Sequence, residues 1–203
     1  MRSALLAIGP RFAAFGRSGG GEAVYARFNK ESRHVLQAAC DEARRWQHAY
    51  IGTEHLLLAL LPPPTGFWPR LLGKLRLRSK SPCTVRGLLE CVAVDPRKLR
   101  SQLEHSVHRG TYPSPEGRLP QTPAAKRVIE HAAAEAGLRN QREVQPVHLL
   151  LGILWEEHEL ATQVLRQFGL ELTTLRRALE QSSGPSASTG RPTNQYHETN
   201  HSG

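Results

Sequence analysis

Ile51-Gly52-Thr53-Glu54-His55-Leu56-Leu57-Leu58-Ala59-Leu60-Leu61 returns later in the chain as Val144-Gln145-Pro146-Val147-His148-Leu149-Leu150-Leu151-Gly152-Ile153-Leu154, a shift of 93 residues. The match runs upstream without a gap, pairing Val35, Ala39, Glu42 and Ala43 with Val128, Ala132, Glu135 and Ala136. Farther downstream Leu89, Leu99, Arg100, Leu103 and Glu104 pair with Leu165, Leu175, Arg176, Leu179 and Glu180 at a shift of 76, so the first copy carries 17 more residues. Those fall between about Pro62 and Cys83. A fixed period with matching apolar positions marks a duplicated structural unit.

Within each copy the apolar residues recur at helical spacing, and the start and stop signals divide them into four helices. Asn29 caps a helix reaching about Trp46, and Thr53 is expected to cap a second with Glu54 in its first turn, ending by Leu61 ahead of Pro62-Pro63-Pro64. Thr84 opens a third, to Cys91, and Asp95-Pro96 a fourth, through about Val107. After a Gly- and Pro-rich linker from Arg109 to Gln121, Thr122-Pro123 restarts the pattern, with helices expected over 123–138, 146–155, 158–168 and 172–181 and Gly169 as a stop. No strand pattern intervenes. The fold expected is all-α: two tandem four-helix repeats, each small for an independent core, packed on one another about a pseudo-twofold axis. The domain organisation expected is a basic extension over 1–23, a double repeat over 24–181 (first copy 28–108 with a basic insertion near 62–83, second copy 121–181) and a disordered Ser/Gly/Pro/Thr/Asn tail over 182–203.

The net charge of +9 is unevenly placed. Residues 1–27 contribute +3 and residues 62–87 contribute +6, which leaves the repeats and tail together neutral. A nucleic-acid surface puts its positive field on a structured face, so the charge disfavours nucleic acid as a partner. No run approaches the roughly 20 apolar residues of a membrane span. Cys40, Cys83 and Cys91 make an odd set without CxxC spacing, which fits free thiols in a reducing compartment such as the cytoplasm. The arginine-bearing start leaves an organelle transit peptide open, and a true start at Val24 is the other reading.

Phe28 to Leu61, with Tyr50-Ile51-Gly52-Thr53-Glu54-His55-Leu56-Leu57 at its centre, closely resembles the amino-terminal repeat domain of the Clp ATPases, the ClpC type in particular. The resemblance covers roughly residues 24–181 and includes the duplication. It implies a helical module that sits on an unfoldase and recruits adaptors and substrates to a protease. A Clp ATPase would continue into nucleotide-binding modules, whereas the one Gly-Lys pair here, Gly73-Lys74, lacks the phosphate-loop context. The expectation is a non-catalytic interaction module with Clp unfoldase or protease components, adaptors or substrates as partners. A truncated reading of a ClpC-type subunit is the alternative, and a basic nucleic-acid-binding protein the second.

The resemblance also implies a ligand site. In the family the glutamate of the Gly-Thr-Glu-His motif takes the guanidinium of a phosphoarginine, and a helix N-terminus suits the phosphate. Thr53 and Glu54 keep that motif, whereas Pro146 and Val147 stand at the second copy's equivalent places, so one site per chain is expected. Two readings of Thr53 and Glu54 stand side by side: a phosphoarginine or substrate site, or simply a capped helix. His55 and His148, retained in both copies, suggest a structural hydrogen bond. The clusters Glu104-His105-His108 and Glu156-Glu157-His158-Glu159 read as solvated helix ends without metal-ligand spacing. No Ser or Cys sits in a nucleophile signature, and neither a cofactor, a metal nor catalysis is expected.

Overall fold

The computed structural model describes residues 21–63, 84–117 and 119–183. Most of the basic extension, the insertion with Cys83, and the tail beyond Ser183 lie outside the described residues. Nine helices are found within them: α1 (Gly21–Ala26), α2 (Lys30–Arg45), α3 (Thr53–Leu60), α4 (Val85–Cys91), α5 (Pro96–Ser106), α6 (Pro123–Leu138), α7 (Pro146–Trp155), α8 (Leu160–Gln167) and α9 (Leu172–Ser183). The caps are largely those that local chemistry dictates. Asn29 accepts the Ser32 N–H at 2.8 Å, Thr84 the Gly87 N–H at 3.1 Å, Asp95 the Arg97 N–H at 2.8 Å and Thr122 the Ala125 N–H at 3.1 Å. Pro occupies the first turn of α5, α6 and α7, where its missing N–H costs nothing.

Three elements depart from expectation. Helix α3 starts at Thr53 with Gly52, not Thr53, as its N-cap, because a histidine supplies the cap that glycine cannot. Helix α8 begins only at Leu160, after Glu159. Helix α1 was not anticipated at all; it leans Val24 and Tyr25 on the core, and the Tyr25 hydroxyl donates to Gln121 Oε1 at 2.8 Å.

The two copies share one core. Val35, Leu36, Ala39 and Ala43 of α2 and Val128, Ile129, Ala132 and Ala136 of α6 face α3 and α7, whose leucines are buried almost all round, as helices central to a core must be. Against α6 the fit is backbone to backbone, since a Cβ on Gly152 would overlap the Val128 carbonyl oxygen and lie 3.1 Å from the Ala132 nitrogen. Buried Cys40 belongs to this core; Cys91 is exposed.

The pseudo-twofold relation shows in the crossovers. Phe28 pairs with Val144 and Ile51 with Gln121, each an isolated parallel bridge. Adding 93 to the first residue of either pair gives the second residue of the other, so the bridges exchange under the repeat operation. Their bonds do likewise: Asn29 N–H to Val144 O at 3.1 Å mirrors Thr122 N–H to Ile51 O at 3.0 Å, and Val144 N–H to Arg27 O at 2.8 Å mirrors Ile51 N–H to Pro120 O at 2.7 Å.

Each copy also pairs a buried glutamate with an arginine at matched positions. Arg100 donates to Glu42 Oε1 at 2.5 Å and caps α3 through the Leu58 carbonyl at 2.7 Å. Arg176 meets Glu135, which also accepts from Arg139 at 2.6 Å and from Trp155 Nε1 at 3.0 Å.

Candidate functional site

The N-termini of α3 and α7 occupy matched places, and the same device holds both. The Gly52 N–H donates to His55 Nδ1 at 2.9 Å, and the Gln145 N–H donates to His148 Nδ1 at 3.0 Å. The retained histidines are therefore structural hydrogen-bond partners, as expected. Burial holds the His55 pKa down at about 3, with a smaller contribution from His48; burial, then Arg139, holds His148 at about 4. Both rings are neutral near pH 7, with the single ring proton on Nε2.

Beyond this shared device the copies diverge. In the first, the Glu54 carboxylate curls back over its own helix N-terminus, where its backbone N–H meets it, and a Cβ at Gly52 would collide with both carboxylate oxygens. In the second copy Val147 stands in place of the glutamate, and the cap position carries Gln145. Thr53 is fully buried and its hydroxyl donates to Glu159 Oε2 at 3.2 Å, across 106 residues of sequence. The same hydroxyl also favours the charged form of Glu54.

Burial is the main reason the Glu54 pKa is raised, and Glu159 adds to it; the N–H cap, the proximity of His48 and the Thr53 hydroxyl oppose it. The His55 ring 3.3 Å from Glu54 is neutral, so it supplies no counter-charge. Tyr50, Gly52, Glu54, Thr122, Pro123, Arg127 and Glu159 line an open groove where the first copy meets the start of α6. Its one cation among the described residues, Arg127, is committed to Glu156, which it grips through Nε at 2.9 Å and Nη2 at 2.5 Å. Glu156 is consequently buried and not the solvated helix end its neighbours suggested, whereas Glu157 and His158 are exposed. The groove presents a carboxylate pair beside an exposed tyrosine. That chemistry suits a planar cation, which two carboxylates and an aromatic face can receive together.

Of these residues the sequence pointed to Thr53 and Glu54. Tyr50 stands at the head of the same motif, whereas Glu159 and Arg127 come to the groove through tertiary packing, and no local pattern marks them as groove residues. His48, Glu54 and His55 also draw ligand-type atoms to within 4.8 Å of one another. A metal would find no lone pair on either imidazole. His55 Nδ1 is taken by Gly52, its Nε2 carries the proton that reaches His48 Nδ1 at 2.8 Å, and His48 Nε2 then donates to the His108 carbonyl at 2.7 Å.

Comparison with known proteins places the chain in a family. The family model for the Clp repeat (R) N-terminal domain matches residues 27–81, 75–168 and 130–200. The chain is 31% identical over 166 residues to the chloroplastic chaperone protein ClpC of Pisum sativum, covering 81% of this chain and 16% of that protein. It is 30% identical over 166 residues to the chloroplastic ClpA homolog CD4B of Solanum lycopersicum, again 81% of this chain and 16% of the relative. Among solved structures, the N-domain of ClpV from Vibrio cholerae aligns with a TM-score of 0.59 at 17% identity, covering 83% of this chain and 92% of that one. The N-terminal domain of ClpD from Arabidopsis thaliana aligns with a TM-score of 0.53 at 19% identity, covering 78% and 95%. These two share the fold. The repeat, the fold and the matches agree: the chain belongs to the Clp repeat N-terminal domain family.

Proposed function

We propose that this chain is a non-catalytic protein-interaction module of the Clp proteolysis system, with residues 24–181 as its working body. Its partners are adaptor or substrate segments, or components of the unfoldase and protease. The observation that carries this reading is the carboxylate pair at the repeat junction: Glu54 and Glu159 flank one hydroxyl, Thr53, and among the described residues neither makes a salt bridge with a lysine or arginine, Arg127 acting on Glu159 only from beyond ion-pair distance. A guanidinium entering the groove would draw Glu54 off its own helix N-terminus. The N–H groups so released would then face whatever the guanidinium carries, and a phosphate is what they suit. An arginine-phosphorylated segment is therefore the favoured ligand, bound once per chain, since Val147 and Pro146 offer neither carboxylate nor hydroxyl.

Calorimetry on the full chain with a phosphoarginine peptide and its unphosphorylated twin tests this. One site is expected, and Glu54→Ala should weaken it by about one to two orders of magnitude, the worth of a charge-assisted hydrogen bond of roughly 1.5–3 kcal/mol. Val147→Glu alone should add no second site, because Pro146 still lacks a donor. Two equivalent sites, or one indifferent to Glu54, would leave Glu54 as a helix cap and nothing more.

A second reading has its own support. The chain spans about 16% of the length of the relatives quoted, which fits a recruiting segment of a longer ATP-dependent subunit. Cytoplasm is the proposed location, with an organelle stroma as the alternative that the chloroplastic relatives favour. No helix among the described residues is long and apolar enough to cross a membrane.

A further inference from the structure

Glu159 stands at the N-cap of α8, yet its side chain makes no cap bond to that helix. Asn29, Thr84, Asp95 and Thr122, at the same position of their own helices, each accept an N–H from the first turn. The Glu159 carboxylate turns instead toward the first repeat, where it accepts from the buried Thr53 hydroxyl at 3.2 Å. Thr53 is the first residue of α3, so a second negative charge stands at the helix N-terminus that Glu54 already covers.

Among the described residues that line the groove, none cancels these two charges. Arg127 holds Glu156 at ion-pair distance and acts on Glu159 only from farther off, while Glu54 and Glu159 repel one another. A guanidinium placed between the two carboxylates meets both charges. Its planar fork can share N–H groups between them beside the exposed Tyr50 ring. A phosphate on the same arginine meets the opposite situation. It needs the N–H groups at the start of α3, and Glu159 is held against the first residue of that helix. A charge tied to Thr53 lies inside the Debye length of about 8 Å from that helix end, so salt does not screen the repulsion away.

Resting on the proposal that a guanidinium enters this groove, we infer that Glu159 is its specificity-determining residue and opens the groove to a second class of ligand, segments bearing unmodified arginine. The two carboxylates have different duties. Glu54 leaves the helix N-terminus to take the guanidinium, and so serves both forms of arginine. Glu159 stays beside that N-terminus as long as Thr53 holds it, and so favours the plain form and opposes the phosphorylated one. The preference for phosphoarginine is thereby narrowed, not reversed.

Calorimetry on the full chain reads both affinities, with a short end-blocked peptide carrying one arginine and with its phosphoarginine form. The wild type should bind both. Glu159→Gln keeps an acceptor for Thr53 and removes the charge. It should weaken the plain peptide about threefold to fivefold, the upper range for an exposed ion pair, and tighten the phosphorylated one by a similar factor. The ratio of the two affinities should thus move by about tenfold or more. A purely structural Glu159 would move both affinities in the same direction. On the unmutated chain, the carbon-13 resonance of the Glu159 carboxyl should shift when the plain peptide is added. Binding of phosphoarginine alone, a ratio that Glu159→Gln leaves unchanged, or a carboxyl resonance that does not respond would overturn this role of Glu159 while the groove itself stands. Binding of neither peptide would overturn the groove and the role together.

Discussion

Glu135→Gln isolates the ion cluster that ties α6, α7 and α9 together, and its effect should depend on pH in a fixed direction. The Glu135 side chain is 1% exposed, and burial by itself would raise its pKa. Hydrogen bonds from Arg176, Trp155 and Arg139 outweigh burial and hold the group near 2 in place of the ordinary 4.5. A folded-state pKa below the unfolded one contributes stability above the unfolded value and loses it as pH falls toward the folded value. The full difference corresponds to roughly 3 kcal/mol. Arg139 and Arg176 are 16% and 30% exposed, and solvent screening there brings the figure to about 2 kcal/mol. Glutamine keeps the shape and the Trp155 acceptor but cannot carry the charge. Urea titrations at a series of pH values should therefore find the variant about 2 kcal/mol less stable than wild type at pH 6, with the gap closing between pH 4.5 and 2. A gap that stays constant across that range would mean that the carboxylate is not held by its cationic partners.

Two further outcomes follow from packing. Gly152→Val should cost roughly 1–3 kcal/mol in a denaturant titration, because the obstacle is the Val128 and Ala132 backbone and α6 and α7 can only move apart. Arg100→Met should cost roughly 3–5 kcal/mol, since it leaves Glu42 buried with Arg45 as its one cation, and Glu42→Leu added to it should recover much of the loss.

The helices were legible where a start signal is local. Asn29, Thr84, Asp95 and Thr122 each cap with their own side chain, so four boundaries could be read from single residues. The start of α3 could not, because its cap comes from His55 three positions inside the helix. Helix α1 carries no cap signal of its own and is held by contacts such as Tyr25 with Gln121 across 96 residues. At the candidate site the duplicated motif exposed Thr53 and Glu54, because the second copy shows which residues the fold can do without. Glu159 and Arg127 had no such comparison to reveal them. Glu156 was misread because an acid beside Glu157 and His158 looks solvated until Arg127 is seen to cover it.

The crossed bridges at Phe28–Val144 and Ile51–Gln121 carry an implication for how such a chain could arise. Each copy orders the entry to its partner's leucine-rich helix, so neither copy can complete itself. A gene encoding a single copy would have to satisfy the same bonds by joining a second, identical molecule through a closed, self-complementary contact. Fusing two such molecules end to end would then leave the two helix entries free to differ. The chain bears that mark: one copy has glycine, threonine and glutamate at the entry to its helix and the other has glutamine, proline and valine, yet each still orders the entry of its twin.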